Sequence, residues 1–79
     1  MARTTEDRIL EIVDDVFSIQ KDFSLDTKFY SIGMDSIDLV EIVHETEEEF
    51  DIRIDENQAE IISKGTVNDL IRFVDELLQ

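Results

Sequence analysis

Residues 33–50 of the chain read GMDSIDLVEIVHETEEEF, and this stretch predicts more of the fold than any other. After Gly33, apolar residues recur at the helical period, so we expect a helix over about residues 36–50. One side of this helix is apolar and should face the core: Leu39, Ile42, Val43, Thr46 and Phe50. The other side is acidic but includes Ile37 and Val40. Taken alone, an acidic run is typical of a solvated face, whereas branched apolar residues within it favour docking of another protein.

The sequence before the glycine predicts one helix and a long loop. Thr4 and Asp7 have the spacing of a capping box, which places the start of the first helix at Thr4 or Thr5. Its apolar stripe, predicted as core, is Ile9, Ile12, Val13, Val16 and Phe17. Over residues 18–35 the period is lost, and single apolar residues should pin an ordered loop to the core. These anchors are Phe23, Leu25, Phe29 and Ile32. At Gly33 a positive φ would let the chain turn sharply into the second helix.

Two more helices are predicted after residue 50. A short third helix should begin at Asp55, which can cap it and pair with Gln58, and should stop at Gly65. It has few apolar anchors, so we expect it to be weakly held. The fourth helix begins at Thr66, where Asp69 completes another capping box. Its core side consists of Val67, Leu70, Ile71, Val74, Leu77 and Leu78.

Composition and length agree with a small helical domain. The chain has 79 residues, of which 42% are hydrophobic, enough for one folded core spanning residues 1–79. With no Pro, two Gly and little strand-like alternation, the fold class predicted is all-α: a small four-helix bundle with a long loop between helices 1 and 2. A domain this small leaves no room for a separate catalytic cleft, so function should lie on its surface. The absence of Cys excludes disulfides, thiolate metal sites and a cysteine nucleophile.

The charge is strongly negative and unevenly distributed. The formal net charge is −14, and residues 35–60 hold 11 acidic residues and a single basic one, Arg53. This concentration predicts an acidic face that speeds encounter with basic partner proteins in a salt-sensitive way. Nucleic acid and anionic membranes are not expected as partners, because the charge of the chain is of the same sign. With no membrane-length apolar segment and no basic and apolar leader pattern at the N-terminus, we expect a cytoplasmic monomer that does not insert into membranes.

The candidate functional residue is Ser36, a hydroxyl at the start of an acidic amphipathic helix and just after a glycine turn. An anionic group on this oxygen would lie where unpaired backbone N–H groups and the helix dipole favour negative charge. Asp35 and Asp38 partly oppose that effect. The simplest interpretation of the two carboxylates is contact with basic groups of an enzyme that modifies Ser36.

In this setting the chain resembles the acyl carrier protein family, whose signature is a Gly, a variable residue and Asp-Ser-Leu, followed by an acidic helix. Here the signature reads GMDSI at residues 33–37. The resemblance covers almost the whole chain: the amphipathic first helix, the long loop with Phe29 near its end, the EEEF run at residues 47–50, the short third helix and the apolar last helix. An Asp-Ser pair alone would be weak support for the resemblance. Together with these features of the whole chain, the same pair is specific for the family.

The resemblance implies a carrier and not an enzyme. Acyl intermediates would be held as thioesters on a covalent 4′-phosphopantetheine attached through the oxygen of Ser36. The attaching enzyme would be a phosphopantetheinyl transferase, or holo-carrier synthase, that uses coenzyme A and Mg²⁺. Implied partners are acyltransferases, ketosynthases and other acyl-processing enzymes with basic docking patches, in fatty acid or polyketide biosynthesis. Fatty acyl, polyketide, aminoacyl and D-alanyl cargo all remain open.

Two further sets of site residues follow. The docking surface implied on the second helix consists of Asp35, Ile37, Asp38, Val40, Glu41, His44, Glu47 and Glu48. Ile37 stands where the family usually has Leu, and His44 where it is more often apolar, so the partner's identity stays open. If the weakly held third helix parts from the second, an apolar cleft for an acyl chain would open. Its predicted lining is Val43, Thr46, Ile54, Ala59 and Ile62.

Several other functions compete with the carrier function. Ser36 could simply be the N-cap of the helix, as most serines before an apolar helix are. The chain could also be an acidic adaptor that binds a basic partner without modification. A serine hydrolase is disfavoured because the one His, His44, follows Ser36 by about two helical turns and no triad is indicated. A calcium loop starting at Asp51 is rejected, because Glu56 replaces the required Gly and Ile62 the required final Glu. No metal site is predicted.

Overall fold

The computed structural model describes residues 4–17 and 24–79, which form four helices and one short 3₁₀ turn. The helices are α1 (Thr5–Phe17), α2 (Ser36–Phe50), α3 (Glu56–Ser63) and α4 (Val67–Leu78). The 3₁₀ helix, Phe29–Ile32, lies in the loop between α1 and α2. The described part of the chain contains no strand, only an isolated bridge between Lys28 and Thr66. The predicted all-α fold with a long first loop and a short third helix is therefore confirmed.

Reciprocal side-chain caps fix the start of each helix. Thr4 Oγ1 accepts a hydrogen bond from the Asp7 N–H at 3.0 Å, immediately before α1. Asp55 and Gln58 form a capping box at α3, and Thr66 and Asp69 form another at α4. Each box accepts hydrogen bonds from backbone N–H groups that are otherwise unpaired at a helix N-terminus. The boxes therefore determine the residue at which each helix begins. The three boxes lie where the sequence predicts them.

The core forms where α1, α2 and α4 pack together, with α3 lying against α2. Its buried apolar residues come from every helix, from the first loop and from the segment between α2 and α3: Ile9, Ile12, Val13, Phe29, Ile42, Phe50, Ile54, Ile62, Val67, Leu70, Ile71 and Val74. Val16, Phe17, Leu39 and Val43 are half-buried and pack against this cluster. The predicted core positions Leu77 and Leu78 are wrong, since both side chains are exposed. They lie in the last turn of α4, beyond Val74, its last buried residue.

Backbone hydrogen bonds attach the first loop to the corner between α3 and α4. The Phe29 N–H donates to the Gly65 carbonyl at 3.2 Å, and the Val67 N–H donates to the Thr27 carbonyl at 3.0 Å. Phe29 is fully buried, while Leu25 and Ile32 are half-buried against the core. The anchored loop predicted from the sequence is confirmed for these three residues. The fourth predicted anchor, Phe23, lies outside the described residues.

Arg8 ties the beginning of α1 to the end of α2. Its Nε donates to Glu49 Oε2 at 2.7 Å, and its Nη2 donates to the Glu49 carbonyl at 2.6 Å. The guanidinium also lies 4.2 Å from the centroid of the Phe50 ring. The last turn of α2 has no basic residue of its own. Arg8 therefore supplies the positive charge that favours a helix C-terminus.

Replacing Arg8 by alanine should lower the free energy of unfolding by about 2 kcal/mol, because the charged hydrogen bonds and the ring contact are lost together. Chemical denaturation followed by circular dichroism measures the effect. Arg72→Ala is the matched control, since it removes the same charge from an exposed position on α4. Equal destabilisation by the two substitutions would show that the effect comes from net charge and not from the contacts of Arg8.

Candidate functional site

Ser36 is the first residue of α2, and the turn before it determines where its side chain lies. Gly33 ends the 3₁₀ helix with φ 82° and ψ 26°, a left-handed conformation that favours glycine. Its N–H donates to the carbonyls of Phe29 and Tyr30, so the turn is attached to a buried anchor. Ser36 itself is exposed. Its hydroxyl makes no hydrogen bond within residues 4–17 and 24–79, which leaves the oxygen accessible for modification.

The N-cap of α2 is Asp35 and not Ser36. Asp35 Oδ1 accepts a hydrogen bond from the Asp38 N–H at 2.9 Å, and Asp38 Oδ2 accepts one from the Asp35 N–H at 3.3 Å. The interpretation of Ser36 as a cap is therefore wrong. The three-residue spacing of the two aspartates was the available signal, since the same spacing marks the other three helix starts. Sequence reasoning assigned both carboxylates to docking and missed their capping role.

An apolar groove of about 500 Å³ runs between α2 and α3, and Ser36 lies on its edge. The apolar part of its lining consists of Leu39, Val40, Val43, Ile54 and Ala59. Polar side chains surround it, namely Ser36, His44, Glu47, Asp55, Glu56, Glu60 and Ser63. A group attached to the Ser36 oxygen would therefore have an apolar surface within reach.

Three of the five predicted cleft residues line this groove: Val43, Ile54 and Ala59. The other two, Thr46 and Ile62, are buried and do not reach its surface. Thr46 is fully buried, and its Oγ1 has no hydrogen-bond partner among the described residues. The groove is thus shallower than the predicted cleft, and Thr46 and Ile62 would join its lining only if α3 moved away from α2.

The predicted docking surface is mostly exposed on α2. Ile37 and Val40 have exposed fractions of 68% and 66%, high for apolar side chains, and Glu41 is exposed beside them. One turn on, His44 Nε2 lies 3.5 Å from Glu48 Oε1, with both side chains largely in solvent. Sequence reasoning missed two other exposed apolar side chains, Tyr30 before the helix and Ile61 on α3. Ile61 and Ile62 are adjacent on α3, and Ile62 is the one that is buried. Because adjacent side chains on a helix point in different directions, burial of Ile62 was the only signal that Ile61 would face outward.

Glu47 differs from the other predicted docking residues because its side chain bonds to the segment that precedes α3 and not to a neighbour at the start or on the surface of α2. Its Oε2 accepts a hydrogen bond from the Ile54 N–H at 2.8 Å, in a half-buried position. The carbonyl of Glu47 also accepts the Ile52 and Asp51 N–H groups. These contacts attach the loop before α3 to the end of α2. Glu47 therefore positions Ile54, a lining residue of the groove.

No group of three or more potential metal ligands is placed to hold a metal ion in the part of the chain that the structure describes. Nor does any helix there have the length and apolar character needed to cross a membrane.

The site geometry fits a covalent arm on Ser36. The hydroxyl is exposed and unpaired, while the cap is provided by a different residue, so modification would not cost the helix its cap. The neighbouring groove offers apolar surface for what the arm carries. No other serine of the described chain combines a helix start with this groove, since Ser63 ends α3 and its hydroxyl donates to the Glu60 carbonyl.

Comparison with known proteins shows which family the chain belongs to. A family model described as "Phosphopantetheine attachment site" matches residues 7–74. The chain is 40% identical over 73 residues to an acyl carrier protein of Sulfurovum sp. (strain NBC37-1), covering 90% of this chain and 95% of that protein. It is 39% identical over 77 residues to a chloroplastic acyl carrier protein of Brassica napus, and 35% identical over 79 residues to acyl carrier protein 1, chloroplastic, of Spinacia oleracea.

The two chloroplastic proteins are longer. The match covers 95% and 98% of this chain but only 56% of each of those relatives, so the chain spans little more than half of their length. The match to the Sulfurovum protein, in contrast, extends over nearly the full length of both chains. The chain therefore belongs to the acyl carrier protein family.

Proposed function

We propose that the protein carries acyl intermediates as thioesters on a 4′-phosphopantetheine attached through the oxygen of Ser36. The observation that supports this most strongly is the exposed, unpaired hydroxyl of Ser36 at the edge of an apolar groove, with Asp35 taking the capping role. The chain contains no Cys, so the thiol that forms the thioester belongs to the arm. The role of the chain is to hold and present the cargo, and catalysis belongs to its partners.

Intact mass spectrometry separates this function from the alternatives. After incubation with coenzyme A, Mg²⁺ and a phosphopantetheinyl transferase, a carrier gains the mass of one phosphopantetheinyl group. An unmodified adaptor gains nothing under the same conditions. A hydrolase that uses Ser36 would instead react with a serine-directed phosphonate. A phosphonate adduct without a phosphopantetheine adduct would refute the carrier function.

The acidic face of α2 is the proposed docking surface for the transferase and for acyl-processing enzymes such as acyltransferases and ketosynthases. Its support is the exposure of Ile37, Val40, Glu41 and Glu48, together with 11 acidic residues between positions 35 and 60. Complementary charge speeds encounter, while the two apolar side chains supply contact area once the proteins meet. Asp35, Asp38 and Glu47 also border this surface, although part of their hydrogen-bonding capacity is used within the chain.

Reversing one charge on this surface should slow association. Glu41→Lys and Glu48→Lys are each expected to lower kcat/KM for the transferase severalfold at low salt, and less at high salt, because charges on an exposed face act mainly on the encounter rate. Transferase kinetics at two ionic strengths measure the change.

Glu76→Lys is the matched control for these variants, since it makes the same change of net charge at an exposed position on α4. It should leave kcat/KM nearly unchanged. An equal loss in all three variants would contradict a localised docking surface and would favour a general effect of net charge. Thermal melts of the three variants should be alike, because none of these side chains is buried.

The groove between α2 and α3 is the proposed binding site for the acyl chain. Support comes from its five apolar lining residues and from the position of Ser36 on its edge. Separation of α3 from α2 would deepen the groove to include Thr46 and Ile62, the two predicted cleft residues that are now buried. The α3 helix has only one buried residue, Ile62, so movement away from α2 disrupts little of the core. Fatty acyl and polyketide chains are the cargo classes that an apolar groove fits best.

A further inference from the structure

Thr46 is a buried polar residue with no visible structural function. Its side chain is fully buried, and Oγ1 has no hydrogen-bond partner among the described residues. A threonine within a helix can bond to the carbonyl one turn earlier, but this hydroxyl does not. A buried hydroxyl without a partner destabilises the fold, because its hydrogen bonds to water are lost and not replaced. Such a group calls for an explanation.

The helical period places Thr46 directly below the groove. Thr46 follows Leu39 by seven residues, and at 100° per residue the two side chains point about 20° apart around the axis of α2. Leu39, Val43 and Glu47 all line the groove, and Thr46 adjoins this row on its core side. Ten residues separate Thr46 from Ser36, which is about 15 Å along the helix. Thr46 therefore lies beneath the end of the groove that is far from the attachment point.

The groove offers no other hydroxyl at that depth. The remaining predicted cleft residues are all apolar, namely Val43, Ile54, Ala59 and Ile62. Ser36 and Ser63 are the hydroxyls on the groove's edge, and Ser63 donates to the Glu60 carbonyl. A saturated alkyl chain entering the opened cleft would leave the Thr46 hydroxyl unpaired. A chain that carries its own oxygen could pair with it.

We infer that Thr46 is a specificity-determining residue of the acyl cleft, which selects acyl chains that carry a hydroxyl or keto oxygen over saturated chains of equal length. The inference rests on the proposed carrier function and on entry of the chain between α2 and α3. The Thr46 hydroxyl donates to a keto oxygen, or exchanges a hydrogen bond with a hydroxyl, once α3 has moved aside. The oxygen of the cargo then satisfies a group that the empty cleft leaves unpaired.

A thermodynamic cycle between residue and cargo tests this. The Ser36-linked arm is loaded with octanoyl or with hydroxyoctanoyl groups, in which the hydroxyl occupies each chain position in turn. Melting temperatures are measured for the wild-type protein and for Thr46→Val, which keeps the shape but removes the hydroxyl. When the hydroxyl is at the chain position that meets Thr46, it should raise the melting temperature of the wild type by roughly 4–8 °C more than it raises that of T46V. This is the shift typical of one hydrogen bond in a domain of this length. Without cargo, T46V should melt higher than the wild type.

Thr46→Ser is the second variant, because it keeps the hydroxyl and should keep the preference for the oxygenated chain. If no hydroxyl position shows a difference between wild type and T46V, the inference is wrong. In that case a rise of melting temperature with alkyl chain length would show that the groove still binds cargo. If neither kind of chain changes the melting temperature of the wild-type protein, the cleft proposal itself fails and the role of Thr46 fails with it.

Discussion

Replacing Ser36 by alanine should abolish attachment of phosphopantetheine while leaving the fold intact. The hydroxyl oxygen is the proposed attachment atom, so no partial modification is expected. The helix start should survive, because Asp35 and Asp38 supply the caps of α2 and Ser36 contributes no hydrogen bond within the described chain. Alanine is also a good helix former at an exposed position, so the free energy of unfolding should change by no more than about 0.5 kcal/mol. Intact mass spectrometry and a chemical denaturation curve measure the two effects.

Ser63→Ala provides a matched control for this experiment. Ser63 lines the same groove from α3 and its hydroxyl donates to the Glu60 carbonyl, so the variant removes a neighbouring serine without touching the helix start. It should be modified as completely as the wild type. Modification that persists in Ser36→Ala would show that another residue takes the arm.

Loading the arm with acyl chains of increasing length should stabilise the protein stepwise. Burial of each methylene contributes about 0.8 kcal/mol before the cost of ordering the chain, so stability should rise with length until the groove is full. Amides in residues 54–65 should exchange more slowly over the same series, because cargo between α2 and α3 holds α3 in place. Thermal melts and hydrogen exchange with short, medium and long acyl groups measure both trends.

Ala59→Phe is the control variant for the cargo series. Ala59 is half-buried in the groove wall, so a phenyl ring at this position would occupy the space proposed for the chain. The dependence on chain length should then disappear while attachment at Ser36 continues. Equal protection of residues 54–65 for every chain length in the unaltered protein would contradict binding in the groove, although attachment to Ser36 would stand.

The helix boundaries could be predicted from the sequence because local chemistry determines them. Thr4, Asp55 and Thr66 each have a partner three residues on, and apolar residues then repeat at the helical period. The fourth cap, Asp35 with Asp38 three residues on, was not predicted, because acidic residues beside a modified serine are equally typical of a docking surface. The burial of Leu77 and Leu78 was predicted incorrectly, because the apolar periodicity of α4 continues through both residues although their side chains are exposed in its last turn.

The site was less predictable where tertiary contacts determine it. The position of Ser36 at the start of a helix follows from a local motif and could be predicted. The hydrogen bond between Glu47 and the Ile54 N–H joins a helix to an aperiodic loop, and no spacing rule indicates it. The depth of the groove depends on how closely α3 packs against α2, which the sequence of α3 does not reveal. The burial of Thr46 follows from periodicity, whereas its missing hydrogen-bond partner emerges only from the packed structure.

The most direct test of the carrier function is to locate the modification in protein purified from its own host. Proteolysis and tandem mass spectrometry of the fragment that contains residues 33–41 read out the attachment site, and intact mass reads out any cargo. We predict one phosphopantetheinyl group, on the oxygen of Ser36, in part of the population with an acyl group added. A Ser36 that stays unmodified, both in the host and after treatment with coenzyme A and a transferase, would contradict the carrier function.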